Sequence, residues 1–379
     1  MKKQLESYRK EFPITSKCIF LDHAAVSPLS NKARRAVEQF LEEDSHNGSD
    51  RCEIWSQRVE EVRKSAAKLV GAQPQEIAFV PNTSTGICNI ANGLSWYDGE
   101  NVVTFAGEFP ANVYPWMNLK GQGVGLKFVP EKAGRIPRVD IPNYVDNHTK
   151  LLAASSVEFL TGYRNDLEKI GAFCREEGVL FSVDGIQSLG VFPMDVNKFN
   201  IDFLAADGHK WLLGPEGAGI LYVSSNFLDR IDPAIVGWKS MNNARDFLPY
   251  QFDLRKDAAR FEPGSMNYMG IFAMGASISL LLEVGIENIA SRIIELTDRL
   301  AEGLKKSGWT LISPRKSEGE KSGIVTFKGK ADADETAARL AAKGIMIGSR
   351  QDLLRVSPHF YNTFSEVDDM LEALGDNPA

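Results

Sequence analysis

Between residues 76 and 223 the chain alternates short apolar runs with segments of helical length, and this alternation limits the fold more than any other feature. Short runs rich in β-branched and aromatic residues predict buried strands. Strands that alternate with helices form a mostly parallel sheet with helices on both faces. We predict seven strands, near 77–80, 102–105, 125–129, 151–155, 179–183, 201–206 and 219–223, and helices that include 85–94 and 166–177.

The pattern changes after Met269. A long helical stretch covers 272–284 and 286–307, and a strand, a helix and a further strand follow near 324–327, 333–343 and 352–356. Mixed elements of this kind predict a smaller α+β domain. We therefore predict an α/β protein with a large domain at 16–270 and a small C-terminal domain at 271–379, on which residues 1–15 pack.

The composition is that of an ordinary soluble protein, with 43% hydrophobic and 25% charged residues. The formal net charge of −7 gives no reason to expect a nucleic-acid partner. No apolar stretch approaches the ~20 residues of a membrane helix, and the charged first ten residues do not resemble a signal peptide. Four cysteines and five histidines show no metal-ligand spacing. We predict a cytoplasmic protein without a metal site and without a membrane partner.

Two chemically active residues follow neighbouring predicted strands. Asp184 ends the run at 179–183, and Lys210 follows the run at 201–206 after a short turn. Ligands of open α/β sheets bind outside the carboxyl ends of the strands, so both side chains are placed to enter one crevice. A lysine there can form a Schiff base with an aldehyde, and an acid can keep a pyridine nitrogen protonated, which together indicate pyridoxal 5′-phosphate (PLP). Taken singly, the lysine also suits a solvated loop and the aspartate a helix cap.

The sequence Asp184-Gly-Ile-Gln187, followed by Asp207-Gly-His-Lys210, resembles the class V aminotransferases. This group also includes cysteine desulfurases, selenocysteine lyases, kynureninases and isopenicillin N epimerase-like proteins. The resemblance extends from Leu-Asp-His-Ala-Ala at 21–25 to Leu-Arg-Val-Ser-Pro at 354–358. It implies the large and small domains of fold type I PLP enzymes, PLP as cofactor, an amino-acid substrate and a homodimer.

The resemblance also assigns roles around the cofactor ring. Lys210 would carry PLP as a Schiff base and then move the α-proton of the substrate. Asp184 would pair with the ring nitrogen, and Gln187 would bond the O3′ oxygen. Phe109 matches the position that stacks on the ring, where cysteine desulfurases have a histidine; phenylalanine can stack but cannot relay a proton. Without the resemblance, Gln187 would be an ordinary polar turn residue and Phe109 part of a core.

A phosphate site is predicted at 82–86, where hydroxyls and free backbone N–H groups begin a helix. The same stretch would equally serve as a plain N-cap. The resemblance implies that Thr83 and Ser84 contact the phosphate and that His209 adds a further ligand. It also implies that Ser265 reaches across a dimer interface to the phosphate of the partner subunit.

Substrate recognition is expected from both ends of the chain. Arg355 matches the arginine that binds the substrate carboxylate with its bidentate fork, and Ala25 matches a second substrate-binding position. Two roles stay open. Arg350 is either a second anion ligand or a surface charge, and Asp207 either supports a protonated Schiff base or a cationic substrate, or caps a turn.

The absence of one cysteine bears on which reaction of this group the protein carries out. Cysteine desulfurases carry a nucleophilic cysteine in the region that corresponds to 344–355, and this chain has no cysteine beyond residue 174. A persulfide-forming desulfurase is therefore disfavoured. From the resemblance to class V aminotransferases we expect transamination, with a 2-oxo acid as second substrate. Cβ elimination of the selenocysteine lyase type and epimerisation are the alternatives among enzymes. Outside enzymes, the alternatives are a PLP-binding protein without turnover and an α/β protein that uses no PLP.

Overall fold

The structure is a computed structural model that describes Leu5 and residues 7–376. Nine α-helices lie wholly within these residues: α1 Asn31–Asn47, α2 Cys52–Val70, α3 Thr83–Gly93, α4 Tyr114–Met117, α5 Leu167–Glu177, α6 Tyr268–Val284, α7 Ile286–Lys306, α8 Ala333–Ala341 and α9 Phe364–Leu374. Thirteen strands accompany them: β1 Ile19–Phe20, β2 Ile77–Val80, β3 Asn101–Phe105, β4 Gly125–Val129, β5 Thr149–Ser155, β6 Leu180–Asp184, β7 Phe203–Asp207, β8 Gly219–Val223, β9 Thr310–Leu311, β10 Val325–Lys328, β11 Ile345–Met346, β12 Gly348–Arg350 and β13 Leu353–Val356. Short 3-10 helices join several of these elements.

The predicted mostly parallel sheet of seven strands is confirmed. Its order is β2-β8-β7-β6-β5-β3-β4, and only β8 runs antiparallel to its neighbours. β6 pairs with β7 in the register Asp184↔Ala205, so the carboxyl ends of the two strands lie side by side. Most positions of the central strands are buried, because helices cover both faces.

Helix α3 is fixed against the sheet at its first turn. The side chain of Asn82 accepts a hydrogen bond from the Thr85 N–H (2.8 Å) and caps the helix, which begins at Thr83 rather than at the predicted Thr85. A Cβ atom at Gly86 would lie only 2.7 Å from the Cβ of Ala205 in β7. The glycine therefore lets the helix approach the strand closely and sets its N-terminus at the end of β7.

A second sheet, in the order β12-β13-β10-β9, packs with α7, α8 and α9 around its own apolar cluster. The N-terminal segment joins this region. Ile19 of β1 pairs in parallel with Ile345 of β11, and an isolated bridge links Asp22 to Ser357. The two ends of the chain are thus held together beside the large sheet. The residue bounds assigned to the two domains stay predictions.

Two general findings concern the part of the chain that the structure describes. No single helix there is long and apolar enough to cross a membrane. Helices α6 and α7, which are bent by 81° relative to each other, reach the required length and apolar composition only when they are counted as one segment. No group of three or more His, Cys, Asp or Glu side chains in these residues is arranged to hold a metal ion.

Candidate active site

A cavity of about 320 Å³ lies at the carboxyl ends of β6 and β7. Its wall contains every site residue predicted from the sequence except Ser265. The lining residues are Ala24, Ala25, Val26, Asn82, Thr83, Ser84, Phe109, Ala111, Phe159, Asp184, Ile186, Gln187, Asp207, His209, Lys210, Arg350 and Arg355. Parallel strands direct their carboxyl ends to one edge of the sheet, which is why residues distant in sequence meet there.

Lys210 lies in the turn after β7, and its amine is 5.4 Å from the centre of the Phe109 ring. Burial lowers the pKa of this amine from 10.5 to about 8. The carboxylates of Asp184 and Asp207 oppose the shift, and the charge of Arg355 adds to it. The site therefore holds a lysine that exchanges protons near neutral pH.

Asp184 ends β6 and is buried on the wall of the cavity. One carboxylate oxygen, Oδ1, accepts a hydrogen bond from the Ile186 N–H at 2.9 Å. Burial raises the pKa of this carboxyl to about 6, against the attraction of Lys210. The group is thus mostly ionised at pH 7 and able to pair with a protonated ring nitrogen.

Gln187 is held at both ends of its amide. Its Nε2 donates to the carbonyl oxygen of Ala24 (3.2 Å), and its Oε1 accepts from the indole N–H of Trp211 (2.8 Å). An amide NH₂ has two donors, so one remains for a ligand. Gln187 is therefore an oriented donor in the cavity wall.

The predicted phosphate residues surround the start of α3. The first N–H groups of a helix have no partner within it, and they favour an anion. Thr83 is buried and its Oγ1 accepts from the Asp207 N–H at 3.0 Å, whereas Ser84 is exposed toward solvent. His209 lies close by, with its Nδ1 2.9 Å from Asp207 Oδ2. Hydroxyls, helix N–H groups and an imidazole are thus grouped as a dianionic phosphate requires.

Asp207 is engaged by its own turn. Its Oδ1 accepts from the Gly208 N–H at 2.7 Å, while Oδ2 contacts His209. These contacts are those of a turn cap, one of the two roles left open by the sequence. Both carboxylate oxygens of Asp207 therefore already have partners within the protein.

Phe109 is not a core residue, because 42% of its surface is exposed. Its ring meets Phe159 edge to face, with 5.2 Å between the ring centres. A large aromatic face beside Lys210 is suited to stack on a planar ring. Phe159 was not predicted from the sequence, and it adds a second aromatic side chain to this wall.

Arg355 is buried deep in the cavity wall. Its Nη1 donates to the carbonyl oxygen of Phe159 (3.0 Å), and its Nη2 lies 3.4 Å from an oxygen of Asp22. The buried Nε has no hydrogen-bond partner in the described chain. A buried donor without a partner is costly, so this edge of the guanidinium is placed for a ligand. Ala25 forms the adjoining part of the wall. Two residues further on, the Ser27 N–H donates a hydrogen bond to the His209 carbonyl oxygen at 2.8 Å and holds this segment in place.

Two buried acids near Asp184 were missed from the sequence. Glu108 accepts hydrogen bonds from both the N–H and the hydroxyl of Ser155, each at 2.5 Å, and Ser155 pairs with Asp184 across the β5–β6 ladder. Glu158 is also buried and accepts from Asn165 at 2.7 Å. Burial raises the pKa of Glu108 to about 7 and that of Glu158 well above 4.5. The charge of Asp184 raises both pKa values further, and the charge of Glu108 also raises the pKa of Glu158. The position of Glu108 next to Phe109 was the only sequence signal for this pair.

Ser265 lies outside the Lys210 cavity. It lines a separate cavity of about 270 Å³ formed by 79–81, 217–218, 262–267 and Ile271. The segment is anchored by Glu262, whose carboxylate binds the buried guanidinium of Arg63 (2.7 Å) and the Phe79 N–H (2.8 Å). Within one subunit, therefore, Ser265 is not a ligand of the site that contains Lys210.

The residues of the Lys210 cavity suit PLP on their own chemistry. They offer an amine for the aldehyde, a buried carboxylate for the ring nitrogen, an uncovered aromatic face for the ring, and a helix start with hydroxyls for the phosphate. No residue in this set conflicts with that group. The donor set therefore fits the cofactor that the sequence predicts.

Comparison with known proteins agrees with this chemistry. The family model Aminotransferase class-V matches residues 19–370. A protein of Pyrococcus abyssi named "probable cysteine desulfurase" is 30% identical, over 97% of this chain and 96% of the relative. The "uncharacterized aminotransferase YcbU" of Bacillus subtilis is 28% identical, over 96% of this chain and 95% of the relative.

Solved structures show the same fold. The apo cysteine desulfurase of Thermococcus onnurineus NA1 superimposes with a TM-score of 0.89 at 28% identity, covering 97% of this chain and 96% of that one. The cystine C–S lyase C-DES, solved with cysteine persulfide, gives a TM-score of 0.90 at 23% identity, over 97% and 100% of the two chains, and shows the fold alone. With the family match over nearly the whole length, the chain belongs to the class V aminotransferase family of fold type I enzymes, and its cofactor is PLP.

Proposed function

We propose that the protein transfers an amino group between an amino acid and a 2-oxo acid. One observation carries this proposal, the make-up of the cavity wall. The wall combines a buried lysine, the acid at the end of the adjacent strand and an arginine with an open edge, and none of the described residues that line it is a cysteine. These are the groups that proton transfer at an α-carbon requires, without the nucleophile that sulfur transfer requires.

Lys210 has the properties of the base. PLP, when bound, supplies an electron sink that stabilises negative charge on a substrate carbon. With a pKa of about 8, roughly a tenth of the free Lys210 side chain is neutral at pH 7, so it can accept a proton from one carbon and return it to another. Asp184 keeps the proton on the ring nitrogen, and Arg355 holds the substrate carboxylate, which fixes the bond to be broken.

A second candidate is elimination at Cβ, because several relatives are named cysteine desulfurases. The structure counts against one form of this reaction, in which a cysteine thiol takes up the sulfur atom. β12 and β13 are joined by only two residues, Gln351 and Asp352, so the hairpin leaves no loop that could carry a nucleophile into the cavity. Cys174 is buried in α5, and burial raises the pKa of its thiol.

We also propose that the active unit is a homodimer in which Ser265 completes the phosphate site of the partner subunit. An exposed apolar surface supports this proposal. It includes Phe247, Leu248, Tyr250 and Phe252, of which Tyr250 is 91% exposed, beside a groove of about 440 Å³. Soluble monomers rarely leave large apolar patches uncovered, so this surface is suited to meet a second copy.

The reaction is tested in two steps. Borohydride reduction and peptide mapping should find PLP attached to Lys210, and the Lys210→Ala variant should lose the absorbance of the bound cofactor. Incubation with a panel of amino acids and 2-oxo acids should then give equal amounts of new 2-oxo acid and new amino acid. Release of pyruvate or alanine without an amino acceptor would instead support elimination, and α-proton exchange alone would support epimerisation. An adduct on another lysine would overturn the proposal.

A further inference from the structure

Arg350 lines the same cavity as Arg355 and lies on the same hairpin. The register Gly348↔Arg355 and Arg350↔Leu353 places both arginines on one face, as diagonal neighbours across β12 and β13. Diagonal neighbours of this kind lie about 7–8 Å apart, within reach of two long side chains that bind one ligand. The turn residues Gln351 and Asp352 have positive φ angles of 49° and 61°, which closes the hairpin tightly and fixes this spacing.

Gly348 leaves space between the two arginines, and Asp22 fills it. A Cβ atom at Gly348 would lie 2.9 and 3.0 Å from the two carboxylate oxygens of Asp22. Burial raises the pKa of Asp22, and the charges of Arg355, Arg350 and Lys210 oppose that rise. Three cationic groups therefore act on this one carboxylate.

Arg350 is the cation of this wall that lacks a carboxylate partner. Asp184 and Asp207 act on Lys210, and Asp22 lies within ion-pair distance of Arg355. Among the described residues, no carboxylate lies within ion-pair distance of Arg350, whose side chain bonds a carbonyl oxygen instead. Arg355 takes up the α-carboxylate of an amino acid, so Arg350 remains available to a second anion.

The two arginines differ in how many donors they have left. Arg355 is buried and already binds Phe159 and Asp22, so its open edge serves one carboxylate. Arg350 is exposed at the mouth of the cavity, and its side chain makes one hydrogen bond, from Nη1 to the Ser349 carbonyl oxygen at 2.6 Å. A guanidinium has five donor hydrogens, so Arg350 retains a fork for a second anion.

We propose that the site selects amino acids with an anionic side chain of aspartate or glutamate length, together with the matching 2-oxo acids. Arg355 binds the α-carboxylate and Arg350 binds the distal carboxylate, while Asp22 orients the Arg355 guanidinium. The apolar side of the cavity, with Val26 and Ala111, receives the methylene groups between the two carboxylates. This inference rests on the proposed amino-group transfer and names its substrate class.

The kinetic test compares glutamate with glutamine, which has nearly the same shape without the charge. For the wild type, kcat/KM should be higher for glutamate or aspartate than for the corresponding amide. In Arg350→Gln the ratio of acid to amide should fall roughly tenfold to a hundredfold, because a hydrogen bond to a charged group is lost. Arg350→Lys should retain part of the preference. Arg34→Gln, which removes an exposed arginine on α1, is the matched control and should keep the wild-type ratio.

A binding test separates this inference from the proposed reaction. Glutarate and butyrate cannot be turned over, and calorimetry with the PLP-loaded protein should show tighter binding of glutarate, lost in Arg350→Gln. If no amino acid reacts but this difference is present, the proposed reaction fails and the distal site stands. The distal site is overturned if the wild type binds glutarate and butyrate with equal affinity. It is also overturned if Arg350→Gln lowers the affinity for both acids by the same factor.

Discussion

Glu108→Gln should remove part of the pH dependence of the free energy of unfolding. Burial beside Asp184 raises the pKa of Glu108 in the folded protein from 4.5 to about 7. The folded state thus holds this proton more tightly than the unfolded state does. The stabilising contribution is complete below about pH 4.5 and is lost as the pH rises through 7.

The size of the effect follows from the same shift. A change from 4.5 to about 7 corresponds to roughly 3 kcal/mol of folding free energy lost by the wild type between acidic and alkaline pH. Glutamine keeps the shape but weakens the two hydrogen bonds to Ser155, at a cost of about 1 kcal/mol at any pH. The variant should therefore be nearly as stable as the wild type at pH 5, where about 0.8 kcal/mol of the wild-type loss has already occurred, and about 2 kcal/mol more stable at pH 9.

Urea unfolding of the PLP-free protein at fixed protein concentration, from pH 5 to 9, measures this difference. Removing PLP keeps the titration of the cofactor out of the comparison. For Glu158→Gln, the stability relative to the wild type should also rise with pH, because that carboxyl is also buried with a raised pKa. Glu177→Gln, at an exposed position, is the control, and its stability relative to the wild type should not change with pH. A free-energy difference between Glu108→Gln and wild type that stays constant over this pH range would refute the reasoning.

Two further predictions concern the cofactor. Asp184→Asn should retain PLP but lose turnover by on the order of a hundredfold or more, because a neutral amide no longer stabilises the ring-nitrogen proton; near-normal turnover would contradict the assignment. Ser265→Glu should weaken PLP retention by repelling the phosphate, without touching Lys210. Mixing it with Lys210→Ala subunits should restore about a quarter of wild-type activity, since half of the dimers would contain one intact site; no recovery after verified subunit exchange would argue against shared sites.

The sequence predicted the features that depend on neighbouring residues. Apolar runs located the strands of the large sheet to within about two residues, and the placement of Asp184 and Lys210 after two such runs brought them to one cavity. These signals are local, because a buried strand needs apolar residues at most of its positions. Asp184↔Ala205 pairing then follows from the parallel order of the strands.

Features that depend on long-range contacts could not be predicted in the same way. The bond between Arg355 and the Phe159 carbonyl joins residues nearly 200 positions apart, and nothing near either residue signals it. The insertion of Asp22 over Gly348 likewise requires the two chain ends to meet. Glu108 and Glu158 were overlooked because acids are expected on the surface, and only the folded chain shows that these two are buried.

The pairing of β1 with β11 has a consequence for the order in which the protein is made. Ile19 leaves the ribosome 326 residues before its partner Ile345. Asp22 and Ala25, which shape the substrate side of the cavity, are fixed only when Ser357 and the final strands have arrived. The large sheet can form before that point, because its strands all lie between residues 77 and 223. A nascent chain would thus have the cofactor platform before it has the wall that recognises the substrate.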